Sequence, residues 1–218
     1  MVKKEALQKF HKDNILDAAG ELFQKQGVEG TTMDQIARKA EYSKATIYVY
    51  FKSKEEIYYY VMLKGMQELL NRINAGIETG EGVVKQYRAI CREMVRFGNE
   101  HPFQFQALIE TIAVDPESRR ELPVLEEIYQ VGEQINDEIC KVFLAAREEG
   151  VLREGLDILQ TGFTLWASLT SVIRMANSKV EYIEQRMQMT KAEFLEGSFE
   201  ILLKTFIKEE AEYEKESN

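Results

Sequence analysis

Residues 43–52, Ser-Lys-Ala-Thr-Ile-Tyr-Val-Tyr-Phe-Lys, combine side chains that can grip a nucleic-acid duplex. Ile47 and Phe51 stand at i and i+4, the spacing of one buried helical face. That leaves Lys44, Ala45, Thr46, Tyr48, Val49 and Tyr50 on the outer side. A lysine ammonium can reach guanine acceptors or a phosphate. A threonine can hydrogen-bond a base or touch a thymine methyl, and tyrosine hydroxyls suit phosphate oxygens. The amides that open such a helix also favour an anion. Catalytic chemistry has no comparable set. His11 and His101 are far apart, and neither lies at metal-ligand spacing with Cys, Asp or Glu. There is no glycine-rich phosphate loop and no nucleophile elbow, so no enzyme, metal or cofactor is expected.

The elements that must hold this segment are helices. Ile15, Ala18, Ala19 and Leu22 share one face of a first helix that Gly27 ends. Met33, Ile36, Ala37 and Ala40 repeat the spacing, and Thr32 with Gln35 forms a capping box at its start. Ser43 caps a third helix from Lys44. Only Glu41-Tyr42-Ser43 separates the second from the third, and a turn that short sets two helices at a steep angle. A longer helix runs from Ser53 to about Ala75, and Gly76–Gly82 is the clearest break in the chain.

The rest continues in the same pattern. Val83, Tyr87, Ile90, Cys91 and Met94 form a stripe, and Pro102 opens a helix to about Val114. Asp115-Pro116 and Pro123 punctuate a connection. A long helix follows, with Val124, Ile128, Val131, Ile135, Ile139, Val142 and Ala146 on one side and Gly150 at its end. Residues 156–177 form a helix rich in small residues. Thr190 and Glu193 cap a last one, striped by Leu195, Phe199, Leu202 and Phe206. Glu209 to Asn218 are mostly charged and are expected to fray. The fold class is all-α: a three-helix helix-turn-helix domain over 1–54, then a larger helical domain over 55–218.

Charge sharpens that division. The 218 residues hold 28 basic and 37 acidic side chains, a net charge of −9 that argues against binding nucleic acid by bulk charge. Residues 1–54 hold ten basic and seven acidic residues, net +3, so the remainder is −12. Only the small N-terminal part suits a polyanion. Cys91 and Cys140 sit among apolar residues, as reduced core thiols do. No signal peptide or membrane span is evident, and a cytoplasmic location is expected.

Thr31-Thr32-Met33-Asp34-Gln35-Ile36-Ala37, Ala40, Ser43, and Ala45 through Ile57 together resemble the tetracycline-repressor (TetR) family of bacterial regulators. The resemblance is specific over residues 10–60, about a quarter of the chain. It implies that Thr32 and the helix it caps touch phosphates, and that Lys44, Ala45 and Thr46 reach base edges. It also implies that Tyr48 and Tyr50 meet phosphate or the groove, and that Lys54 holds a phosphate. One departure stands out: where the family carries glycine in the turn, this chain has Glu41, which is costlier at positive φ.

The resemblance further implies a homodimer through residues 156–177 and 190–207, double-stranded operator DNA as partner, and a small-molecule ligand in the larger domain. Met94, Phe97, His101, Phe103, Tyr129, Phe163 and Trp166 are candidates to line its pocket, plain core being the competing role for the apolar ones. The implied function is a transcriptional regulator, a repressor released by ligand. The alternatives are an activator, or a ligand-binding helical dimer that has lost its DNA contacts. Glu41 is the only support for the last.

Overall fold

The computed structural model describes residues 2–109 and 116–208. The expected fraying of Glu209 to Asn218, and the end of the helix expected to reach Val114, lie outside the described residues. All regular elements among them are helical: α1 Val2–Gln26, α2 Met33–Lys39, α3 Lys44–Tyr50, α4 Lys54–Thr79, α5 Val83–Glu100, α6 Pro102–Ile109, α7 Pro116–Glu121, α8 Pro123–Glu148, α9 Ile158–Ser178, α10 Val180–Tyr182 and α11 Lys191–Phe206. A π-helical turn, Ile183–Met187, follows α10. No helix among the described residues is long and apolar enough to cross a membrane.

The chain divides into two compact units, Met1–Glu68 with His101–Val131, and Leu69–Glu100 with Gly132–Asn218. The core of the first is built by the predicted stripes. Ile15, Ala19 and Phe23 from α1 meet Ile36 and Ala37 from α2, Ile47 and Phe51 around α3, and Ile57 and Val61 from α4. Each large apolar side chain so buried is worth roughly 1.5–3 kcal/mol. In the second unit α11 packs along α9, and both meet α5.

Three expectations change. The helix expected to stop at Ala75 runs to Thr79, straight through Gly76. A Cβ there would sit 3.3 Å from that of Ala89, so this glycine serves close approach of α5 rather than a break. The break narrows to 80–82, with Gly82 at φ +83°. Residues 116–121, expected as a connection, form α7, because a proline suits the first helical position. On α11, Leu203 is buried while Leu202 is half-buried, so the inward stripe is Leu195, Phe199, Leu203 and Phe206.

Candidate nucleic-acid interface

The turn between α2 and α3 is held from two sides. Asn14 of α1 donates to the Ala40 carbonyl at 3.1 Å, and His11 Nδ1 lies 2.6 Å from the Tyr42 hydroxyl. Within the turn, the Glu41 amide donates to Arg38 O and the Tyr42 amide to Ala37 O. This pair of backward bonds is the Schellman motif, whose pivot residue must be left-handed. Glu41 is that pivot, at φ +61°. The carboxylate-bearing residue therefore adopts the glycine conformation, and the turn keeps its hydrogen bonds.

Both predicted caps form. The Thr32 hydroxyl accepts from the Gln35 amide at 3.3 Å, and Gln35 Oε1 accepts from the Thr32 amide at 2.8 Å. Ser43 Oγ accepts from the Thr46 amide at 3.0 Å. Ser53 likewise opens α4 by accepting from the Glu56 amide. These caps fix where α2, α3 and α4 begin, and so which residues α3 turns outward.

Lys44, Ala45, Tyr48 and Val49 share one open face of α3; Val49 is 77 % exposed and Tyr48 49 %. Thr46 is half-buried, and its hydroxyl lies 2.8 Å from that of Ser43. Thr32 is exposed at the head of α2, and Lys54 is the half-buried first residue of α4. Tyr50 differs from the outward placement expected of it. Three positions past Ile47, it falls on the edge of the core side, packs against the first unit's core and sets its ring 5.9 Å from that of His11.

The sequence reading missed Asp34. Its carboxylate accepts from Lys44 Nζ at 2.7 Å, across the turn, and this bond and charge hold the lysine above its usual pKa. No helical spacing links residues ten apart on two helices, so only the turn geometry reveals the pair. The same face adds Val49, whose side chain can meet a thymine methyl.

The seven candidate ligand residues are not gathered into one cavity. Met94 and Phe97 are fully buried in the second unit, with the Arg72 guanidinium over the Phe97 ring at 5.8 Å. Phe163 is 54 % exposed on α9, and Trp166 is half-buried. In the first unit, His101 Nε2 lies 3.2 Å from a Glu68 carboxylate oxygen, and the Arg119 guanidinium sits 4.3 Å from the Tyr129 ring. Phe103 alone of the seven lines a large cleft, of about 680 Å³. The second unit holds an apolar cavity of about 10 Å³ between Tyr87, Ile139, Leu165 and Leu203, which none of the seven lines. On α5, Arg88 pairs with Glu200 at 2.8 Å and Arg96 with Glu93 at 3.2 Å.

An all-helical chain that opens with a capped, core-backed helix-turn-helix belongs to the helix-turn-helix class. The profile described as "Bacterial regulatory proteins, tetR family" matches residues 15–61. The chain is 31 % identical over 105 residues to the uncharacterized HTH-type transcriptional regulator YhgD of Bacillus subtilis, covering 46 % of this chain and 55 % of YhgD. Over 47 residues it is 47 % identical to IcaR of Staphylococcus aureus, a negative transcriptional regulator of the biofilm operon icaADBC, covering 22 % and 25 % of the two chains. The chain thus matches only a quarter to about half the length of these relatives. In fold it is similar to FadR of Bacillus subtilis in complex with stearoyl-CoA, with TM-score 0.66, 16 % identity, and 87 % and 96 % of the chains covered. Over residues 15–61, then, this chain is similar to the tetR-family regulatory proteins.

Proposed function

We propose that this protein is a cytoplasmic, sequence-specific DNA-binding repressor, dimeric, and released from its operator by a small molecule. The observation that carries the reading is the open α3 face of Lys44, Ala45, Tyr48 and Val49, presented by a helix-turn-helix whose every cap and turn bond is made. Residues 1–54 are the DNA-binding domain in this reading, and 55–218 the sensing and dimerisation domain. Thr32, Tyr48 and Lys54 meet the phosphate backbone, and Lys44, Ala45 and Thr46 meet base edges, while Tyr50 backs the helix from its core side. On binding, Lys44 exchanges the Asp34 carboxylate for the duplex. IcaR, a negative regulator by its name, supports repression rather than activation. FadR, bound to stearoyl-CoA, supports a small-molecule ligand for the helical remainder. Glu41 lends no support to lost DNA contacts, since its turn is intact.

The test is binding of labelled DNA from upstream of the protein's own coding region, measured against salt. A specific site with a steep negative salt slope is expected, each neutralised phosphate contributing about −0.9. Lys44→Ala should weaken specific binding and relax base preference, whereas Lys54→Ala should weaken binding to every sequence alike. Absence of any preferred site would refute the reading.

A further inference from the structure

We propose that the cleft between the C-terminal turn of α1 and the first turns of α4 and α6 is a binding site for a lipophilic organic cation. Its wall is aromatic. The rings of Phe23 and Phe103 lie 5.8 Å apart, and that of Tyr58 lies 6.1 Å from Phe103 and 6.3 Å from Phe23. Phe103 and Tyr58 are half-buried, so part of each ring borders the cleft while Phe23 closes its floor. At about 680 Å³ it falls within the ~300–1,000 Å³ of small-molecule sites.

Its charge is what names the ligand. Glu29 and Glu55 line the cleft, and among the described residues no lysine, arginine or histidine does. That runs against the local trend, since residues 1–54 carry a net +3. Glu55 stays ionised: the backbone amide at its own position and the Ser53 hydroxyl hold its carboxyl below the usual range. An anion would be repelled by two carboxylates, and a neutral ligand would dehydrate them without compensation. A cation gains from both the carboxylates and the ring faces, whose electron density attracts it. A large apolar body attached to that charge would fill the remainder of the cleft. α4, which supplies Glu55 and Tyr58, is separated from the end of α3 by three residues, so an occupant would touch the element next to the recognition helix.

This site does not rest on DNA binding, and its test uses no DNA. The full-length protein is titrated calorimetrically with tetraphenylphosphonium, and with triphenylphosphine oxide as a neutral counterpart. One saturable site per chain is expected for the cation, with no comparable binding of the neutral compound. Glu29→Lys, at an exposed position, should weaken it at least tenfold with the melting temperature unchanged. Phe103→Leu, which keeps apolar bulk but removes the ring, should weaken it as well. Undiminished binding by Glu29→Lys, equal binding of the neutral compound, or no saturable binding would overturn the proposal.

Discussion

Glu41 at the end of α2 and Gly150 at the end of α8 occupy the same position of the same motif. After α8, the Gly150 amide donates to Arg147 O and the Val151 amide to Ala146 O, with Gly150 at φ +73°. The two turns differ in whether the pivot carries a Cβ. A non-glycine residue in the left-handed region costs about 1 kcal/mol. Glu41→Asn should therefore stabilise the protein by about 0.5–1 kcal/mol, because asparagine tolerates this conformation. Glu41→Gly should gain less, since glycine frees the unfolded chain by about 0.4–1 kcal/mol. Urea unfolding midpoints measure both, and a lower midpoint for Glu41→Asn would show the turn to be unstrained. Glu41 was legible through the resemblance, because the TetR family carries glycine at that turn. The sequence hid Asp34, because a contact between two helices depends on their crossing and not on any period.

Among the elements, the helix stripes were legible almost residue by residue, since burial follows a fixed period. The misreadings share a cause. Gly76 and Pro116 read as breakers in the sequence, and each instead fits a helix through a local circumstance: a neighbouring Ala89 for one, the first helical position for the other. The α9–α11 pair carries a subtler lesson. Within the segment 190–207 expected to pair in a dimer, Leu195, Phe199 and Phe206 of the expected stripe are buried within the chain and Leu202 is half-buried, and Phe206 packs edge-on to Phe143. The outer faces still carry Leu159, Phe163 and Met175 on α9 and Ile201 on α11, all more than half exposed. A Cβ on Gly197, one turn before Ile201, would touch nothing. A proposed partner helix would seat on this outer face. Ile201→Glu should convert a dimer to a monomer in sedimentation velocity while leaving helix content unchanged. An unaltered sedimentation coefficient would place the interface elsewhere.

For the molecule as a whole, ionisation decides its alkaline limit. Burial pushes the Cys91 thiol up to about 12. Burial also holds the Tyr87 phenol well above its usual range, and its hydroxyl donates to the Phe199 carbonyl at 2.8 Å. Unfolded, the thiol would ionise near ~8.5 and the phenol near ~10. Above those values the unfolded chain binds fewer protons than the folded one, so stability falls as pH rises. The contribution of Cys91 is complete below pH ~8.5 and is lost at about 1.4 kcal/mol per pH unit until its folded pKa is passed. Unfolding midpoints from pH ~7.5 to ~11 should decline more gently in Cys91→Ala than in the parent; parallel curves would contradict this. The charge division was fully legible in the sequence, whereas the depth of Cys91 was only implied by its stripe.

The stretch after α10 has a practical meaning. From Glu184 to Thr190 every residue is exposed, the π-turn ends at Met187, and Gln188 sits at φ +55°. Exposed backbone of this kind is where proteases enter and insertions are tolerated. Beyond it, α11 is fastened to α9 and α5 by buried side chains and by the Tyr87–Phe199 bond. Severing the polypeptide between Met187 and Met189 should therefore leave the pieces together. A specific protease site placed there should yield two fragments that elute together, making this protein a natural candidate for reconstitution from two separately expressed halves.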